Sequence, residues 1–459
     1  MAKKFSVQKN KLYLLFSILA LSIPASARAE SEIEALRREV AEQRTLIRNL
    51  MATWEAQKTT QVSISPANEA IPSRSSTTPA PVPALSVAPT PALSVYGVAD
   101  VDVTRTNSGY GYKTNIGSSG YSASRLGIKG EKSLRPNISA VYLMEAGLAL
   151  NTGVVGTGTL STGLNNNVAS SGGLTSGGSQ IFSRQIYAGL KLPFGAITLG
   201  RQYSGSYLAS VAESTTLGAG LYGSSGTFLP VVASMPTRLN NSMVYVSPKL
   251  SGFSAHLTVT SGAGNNVNTV AGAPTNATTD RAGRGADVAM FYSSGRLKTA
   301  ITTWNLRNAS FNVSQRETGL ATRKGFQVGA GYDLGFARVN ATYVVGKIAG
   351  AGYENGTKSL SDVSGWSVSG GIPVAGGTVL ASFTRVDDKS LLPDRGADLI
   401  GIAYTYKLFD TTTLYGNWGR LLNKRNASYS LPNGGDLVGT VAMPGFNPSG
   451  SMVGLNQTF

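Results

Sequence analysis

The chain has 459 residues, of which 55 are glycine and none is cysteine, and its formal net charge is +16. The lack of cysteine excludes a disulfide scaffold, a thiolate metal site and a cysteine nucleophile. The single histidine, His256, excludes a metal site built from several histidines and leaves a Ser-His-Asp enzyme dependent on one residue. With 41% hydrophobic residues and a mean hydropathy of −0.01, the chain is too polar for a helical membrane bundle and too apolar for a disordered protein.

The first 29 residues have the pattern of a secretory signal peptide. Several lysines precede the apolar run Leu12–Ile23, and Ala27 and Ala29 supply the small residues of a cleavage site. The apolar run is shorter than the roughly 20 residues that a membrane-spanning helix needs. We therefore expect export from the cytoplasm and a mature chain with a net charge of +11.

Residues 30–58 have the composition and heptad pattern of a coiled-coil helix. The a positions are mostly apolar and the d positions alternate leucine with glutamine: Ile33, Val40, Ile47 and Trp54, and Leu36, Gln43, Leu50 and Gln57. Glu32 and Glu39 stand five residues before Arg37 and Arg44, the spacing of interhelical charge pairs. The pattern favours self-association, and a solvated single amphipathic helix is the alternative. Residues 59–92 are rich in Pro, Ala, Ser and Thr, which predicts an extended linker.

From residue 93 to 459 the apolar residues recur at every second position. In the first run Leu93, Val95 and Val101 share one face, and Asp100 and Asp102 lie on the other. Similar runs are joined alternately by short turns and by long loops rich in Gly, Asn, Ser and Thr. The turns are expected at 250–253, 293–296, 335–336, 373–377 and 409–412, and the loops at 151–180, 261–285, 307–323, 347–361 and 422–450. This pattern predicts an all-β fold, an antiparallel transmembrane β-barrel of about 16 strands. A soluble secreted β-sandwich or solenoid is the alternative.

Six motifs in this region resemble the general porins of Gram-negative outer membranes, in particular those of beta-proteobacteria. They are LSVYGVADVDV, SRLGIKGEKSL, FSRQIYAGL, FGAITLGRQY, NNSMVYVSPKLSGFS and the C-terminal VGLNQTF. The resemblance implies a homotrimer of 16-stranded barrels, each with its own pore. It also implies a third extracellular loop, Tyr203 to Thr237, that folds into the lumen, and recognition of Phe459 by the barrel-assembly machinery. The N-terminal coiled coil and linker lie outside the common pattern of this family.

The barrel region carries a net charge of +12, so we expect the pore to prefer anions. Strand alternation directs Arg125, Lys129 and Arg338 into the lumen. The resemblance implies constriction arginines at Arg125 and Arg201, with Arg184 as a weaker third. Alternation places Arg184 and Arg201 on the outward face unless a strand end or a bulge turns them inward. The remaining candidates are acids. Glu213, in the third loop, is expected to face the basic groups across the constriction. Four acids on the wall are expected to pair with the basic groups: Asp100, Asp102, Glu145 and Asp333.

Passive diffusion of small hydrophilic solutes and anions through an outer-membrane channel is the first functional hypothesis. The second is a structural tether, in which a periplasmic coiled coil braces the trimer or binds peptidoglycan and the barrel serves as anchor. The sequence offers no catalytic constellation for an enzyme, no metal or cofactor motif, and no basic run with interleaved aromatic residues for nucleic acid.

Overall fold

The computed structural model describes residues 92–155, 181–213, 217, 220–261, 284–311, 317–350, 361–389, 393–433, 436–437 and 443–459. The expected signal peptide, coiled coil and nearly all of the linker lie outside the described residues. Those three segments therefore remain predictions.

Sixteen strands form a closed antiparallel barrel, as the sequence pattern predicts. Closure occurs where residues Val98–Asn107 of the first strand pair with Ser449–Thr458 of the last, while Ala92–Val98 pair with the next strand of the wall. The wall strands are β1 (Ala92–Asn107), β3 (Arg125–Arg135), β4 (Ile138–Ala149), β6 (Gln185–Leu192), β7 (Gly195–Tyr203), β8 (Arg238–Val246), β9 (Phe253–Thr260), β10 (Gly285–Ser294), β11 (Leu297–Phe311), β12 (Glu317–Asp333), β13 (Arg338–Gly350), β14 (Ser361–Val374), β15 (Gly377–Asp388), β16 (Ala397–Phe409), β17 (Thr412–Asn423) and β20 (Ser449–Thr458). The short strands β2 (Tyr112–Ser118), β5 (Val154–Val155), β18 (Pro432–Asn433) and β19 (Asp436–Leu437) lie in the loops.

Alternation along the strands separates an apolar outer face from a polar inner face. In β1, Val95, Val101 and Val103 are exposed on the outside, whereas Asp100 and Asp102 are buried inside. Large aromatic side chains are exposed near the short-turn end of the barrel: Phe194, Phe253, Tyr332, Phe336, Phe409 and Phe459. An apolar outer belt with aromatic residues at its edge is typical of a barrel that crosses a membrane.

The two ends of the barrel differ in the length of their connections. The five short turns predicted from the sequence all join neighbouring strands. Ser251 and Ala375 in two of these turns, and Asn137 in a further short turn between β3 and β4, take the positive φ that such tight turns need. The loop predicted at 307–323 is wrong over most of its length, because residues up to Phe311 and from Glu317 onward pair as strands. The segment is polar because here β11 and β12 extend as a pair beyond the apolar belt.

The segment 204–237 joins β7 to β8, and its described residues (204–213, 217 and 220–237) lie inside the barrel, at the position predicted for the third loop. We call this segment the inward loop. It contains two helices, α1 (Gly205–Glu213), which packs against β9 to β13, and α2 (Ser225–Val232), which packs against β14 and β15. None of the helices among the described residues is long and apolar enough to span a membrane.

Polar side chains of the wall hold the inward loop by its backbone. Asp287 of β10 accepts a hydrogen bond from the Ser206 amide at 3.2 Å, at the start of α1, where free amides attract an anion. Asn417 of β17 accepts from the Tyr222 amide at 2.7 Å and donates to its carbonyl oxygen at 3.0 Å. Arg323 of β12 donates to the Ser234 carbonyl oxygen. These bonds satisfy loop backbone groups that would otherwise be buried without partners.

Wall glycines allow the inward loop to approach the strands closely. A Cβ added to Gly419 would lie 2.7 Å from the carbonyl carbon of Tyr222, and one added to Gly401 would lie 2.7 Å from the Tyr222 carbonyl oxygen. Real Cβ atoms do not approach other atoms so closely. The loop backbone therefore occupies the space that side chains would fill on an ordinary strand.

This contact predicts that Gly419→Ala destabilises the folded protein by about 1–3 kcal/mol, the usual cost of forcing an extra methyl group into a packed site. Gly416→Ala is the matched control, because it lies on the same strand and a Cβ there would meet nothing within 4 Å. Thermal unfolding followed by the β-sheet circular dichroism signal measures both variants. Equal stability of the two variants would contradict the close contact.

Candidate functional site

The carboxylate of Glu145 is the centre of a charged cluster on the inner wall. Its Oε1 accepts a hydrogen bond from Arg184 Nε at 2.7 Å, and its Oε2 accepts one from the Tyr96 hydroxyl at 2.7 Å. Arg125 Nε lies 3.5 Å from the same Oε2. Glu145 therefore pairs with both Arg184 and Arg125 on the inner wall of the barrel.

Arg184 stands just before β6 and points inward. It is only 7% exposed, so its charge needs partners. Burial alone would lower its pKa, but the hydroxyl group of Tyr203 and the carboxylate of Glu145 outweigh burial and raise the pKa above its usual value. Arg184 therefore remains a cation at the inner wall.

Tyr203, the last residue of β7, connects the cluster to the inward loop. Its hydroxyl oxygen accepts hydrogen bonds from Arg184 Nη2 and, at 2.7 Å, from Arg238 Nη2. Its ring stacks on that of Tyr207 in α1, with ring centres 5.3 Å apart, and lies 4.4 Å from the Arg238 guanidinium. Burial raises the pKa of the Tyr207 hydroxyl, as does the neighbouring Tyr203, so this contact stays uncharged. One tyrosine thus positions two cations against the helix of the loop.

Arg201 lies next to this cluster, beyond an irregularity in the pairing of β7 with β8. The register shifts between Gly200 and Gln202, so the simple alternation that directs Arg201 outward is interrupted at this residue. Arg201 Nε donates to the Ser183 carbonyl oxygen at 2.7 Å, and Arg201 Nη1 donates to Asn240 Oδ1. The guanidinium is close enough to that of Arg238 for the two charges to repel each other.

Lys129 belongs to the same part of the wall. Its Nζ lies 5.2 Å from the centre of the Tyr96 ring, whose hydroxyl donates to Glu145. Lys129 is exposed, which is the state expected for an ammonium group in a wet lumen.

Two predicted residues lie elsewhere. Arg338 is on β13, eight strands around the sixteen-stranded wall from β4, and its Nη2 donates to the Ala212 carbonyl oxygen of α1 at 3.4 Å. It therefore contacts the inward loop from the opposite wall and does not join the Glu145 cluster. Glu213 is the last residue of α1, and its side chain lies outside the described part of the structure.

Asp100 and Asp102 face inward as expected, but the expected pairing of Asp100 with basic groups is wrong. Asp100 accepts hydrogen bonds from the amides of Tyr121 and Ser122, from the Tyr415 hydroxyl and from Asn456. Asp102 lies beside it, in the space left by Gly117 and Gly120. These acids hold residues 120–122, in the connection between β2 and β3, against the wall. Asp333 is exposed at the end of β12 and accepts from the Gly335 amide at 2.7 Å within a turn.

Sequence reasoning missed three residues of the site: Tyr96, Tyr203 and Arg238. The sequence pattern starts the sixth wall strand at Asn240, whereas the corresponding strand, β8, begins with Arg238. No local signal marks these residues, because the cluster joins side chains that are distant along the chain. Among the described side chains, Arg125 and Arg184 pair with Glu145, whereas Arg201 and Arg238 lie beside them and bind uncharged partners in the contacts given above, so this part of the wall carries an excess of positive charge.

Most of the chain, including most of the barrel, matches a known protein family. The family model described as Gram-negative porin matches residues 76–426. The chain belongs to the Gram-negative porin family.

Two known porins cover most of the chain at moderate identity. Outer membrane porin protein 32 of Delftia acidovorans is 26% identical over 387 residues, which span 80% of this porin and 93% of the relative. An outer membrane porin protein of Bordetella pertussis is 27% identical over 319 residues, which span 64% and 75% of the two chains.

Two solved structures are similar in fold. The anion-selective porin from Comamonas acidovorans has a TM-score of 0.63 at 21% identity, covering 81% of this chain and 100% of that chain. The trimer form of OmpT from Vibrio cholerae has a TM-score of 0.57 at 17% identity, covering 80% and 99%.

The buried pairing of Arg184 predicts that Glu145→Gln lowers the free energy of unfolding by about 3 kcal/mol, because it leaves a buried guanidinium without its counter-charge. Glu131→Gln is the matched control, since Glu131 forms an exposed ion pair with Lys191 on the same side of the barrel and should change little. Denaturant unfolding of the folded barrel measures both. A Glu145→Gln variant as stable as Glu131→Gln would contradict the structural role of this carboxylate.

Proposed function

We propose that this porin forms a water-filled channel in the outer membrane through which small hydrophilic solutes and ions diffuse passively, and that the channel prefers anions. The observation that carries the preference is the positive charge in and beside the Glu145 cluster, where, among the described side chains, the arginines outnumber this one acid: Arg125, Arg184, Arg201 and Arg238. A low-dielectric wall concentrates the field of such charges in the lumen and raises the local concentration of anions.

The inward loop narrows the lumen beside this cluster. Because α1 packs against β9 to β13, and α2 packs against β14 and β15, the loop fills that side of the barrel. The remaining passage runs between the loop and the wall that carries Arg125 and Lys129. We assign these two residues to the pore surface, since 25% of the Arg125 side chain is exposed and Lys129 is also exposed. Arg184 and Arg238 contribute charge from just behind that surface.

The structurally similar porin of Comamonas acidovorans is anion-selective, which also supports an anion preference here. We further propose a homotrimer, which the trimer form of the Vibrio cholerae protein supports. Phe459 exchanges backbone hydrogen bonds with Gly97 and exposes its ring at the short-turn end of the barrel. It is our candidate for recognition during barrel assembly. The tether hypothesis draws no support from the described residues.

Neutralising the exposed cations of the cluster should weaken the preference. We expect Arg125→Gln combined with Lys129→Gln to lower the anion-to-cation permeability ratio by at least about twofold, because less fixed charge concentrates anions in the lumen. Reversal potentials across a planar bilayer under a salt gradient measure the ratio. The difference in this permeability ratio between the double variant and the unmodified protein should shrink in 1 M salt, where the Debye length is only about 3 Å.

Arg420→Gln combined with Lys389→Gln is the matched control. Both residues lie on the outward face near the long-loop end, so the control removes the same total charge without touching the lumen. An equal shift in both double variants, or cation preference in the unmodified protein, would overturn the proposal.

A further inference from the structure

Four basic residues form a row on the outer surface of the barrel. They stand at the long-loop ends of four successive strands, β10 to β13, and we call them the outer basic row: Arg284, Arg307, Lys324 and Lys347. Their neighbours Leu306, Arg323 and Ile348 are buried on the inner side, so alternation directs Arg307, Lys324 and Lys347 outward. Arg284 has the parity of Met290, which is exposed on the outside.

The strand register places these residues side by side. The Arg307 amide donates to the Arg284 carbonyl oxygen at 2.8 Å, so these two residues are adjacent across β10 and β11. Lys324 is opposite Asn305, two positions from Arg307, and is directly opposite Lys347. Neighbouring strands are only about 4.8 Å apart, so the four positive charges form one continuous row.

Such a row is unfavourable without an anion. Like charges that face each other across two strands destabilise a sheet. Within the described residues one carboxylate lies close, that of Asp362, whose Oδ2 is 3.2 Å from Lys347 Nζ at the end of the row. No other acidic side chain is described on the outward face of this part of β10 to β13.

The position of the row along the strands can be compared with the edge of the apolar belt. Phe326 lies on the same face two residues from Lys324, and Tyr343 lies four residues from Lys347, and both rings are exposed at the edge of the apolar belt. A step of two residues along a strand is about 7 Å. The row therefore lies where the apolar belt ends and lipid headgroups begin, on the side of the long loops.

We propose that the outer basic row binds the phosphate groups of a polyanionic lipid in the outer leaflet. Phosphates between neighbouring cations would relieve their mutual repulsion, and the acyl chains of the same lipid would cover the apolar belt below. This combination favours a lipid over soluble phosphate, which would contact only the cations. The inference rests on the proposed outer-membrane location but not on what passes through the pore.

The test uses the full-length protein, purified in detergent micelles, and a diphosphorylated lipid A as the probe. Native mass spectrometry counts bound lipid as the lipid concentration is raised. We expect Arg307→Gln combined with Lys324→Gln to weaken binding by about tenfold or more, because each basic residue near a membrane surface contributes measurably to anionic lipid binding. Arg105→Gln combined with Arg420→Gln removes the same charge from the outward faces of β1 and β17, at least four strands away from the row, and should leave binding unchanged.

One further variant and one competition experiment complete the test. Asp362→Asn removes the one acid described beside the row and should strengthen binding, so it tests the proposal even if the double variant fails to fold. Inorganic phosphate at millimolar concentration should not displace the lipid. Equal losses in the row variant and the control, no loss in either, or displacement by free phosphate would overturn the proposal. Bilayer conductance measured on the same preparations reports the channel separately, so failure of one proposal is distinguishable from failure of the other.

Discussion

Closure of the strand ladder between β1 and β20 makes the other features of this barrel possible. A sheet that crosses a lipid bilayer has no water to satisfy its edge, so every backbone group must find a partner within the sheet. Pairing of Val98–Asn107 with Ser449–Thr458 removes that edge. Once the sheet is closed, the alternation of side chains becomes a division between lipid and lumen, and polar and charged residues on the inner face no longer need to be avoided.

The lumen that closure creates is divided by the inward loop into a packed side and an open side. On the packed side, wall glycines and Asn417 let the loop backbone approach the strands, and α2 is buried over its full length. On the open side, Glu145 holds guanidinium groups upright against the wall. A single carboxylate is sufficient to order Arg125 and Arg184 but not to neutralise them. The charge excess and the narrow passage thus arise from the same arrangement.

The sequence predicts the features that repeat and misses those that occur once. Strand alternation and turn residues recur many times along the chain, so the barrel, its short turns and the inward orientation of Arg125 and Glu145 follow from pattern alone. The inward loop is located through family motifs on either side of it. Its anchors cannot be found in this way, because Asp287, Asn417 and Gly419 come from strands far apart in the chain. Asp100 shows a different error, because its inward direction is predicted but its partners are not. It is expected to pair with basic groups, and it accepts hydrogen bonds from the backbone of residues 121 and 122 instead. Alternation gives the direction of a side chain but not its partner.

Locating the ions themselves would show whether the passage beside Glu145 selects anions by fixed positive charge. Crystals of the protein soaked in bromide, and in a separate experiment in rubidium, would reveal each ion by its anomalous scattering. We expect bromide peaks near Arg125 and Lys129 in the passage beside the inward loop, and no rubidium there. Rubidium at that position, or bromide confined to the loops outside the lumen, would contradict selection by these charges.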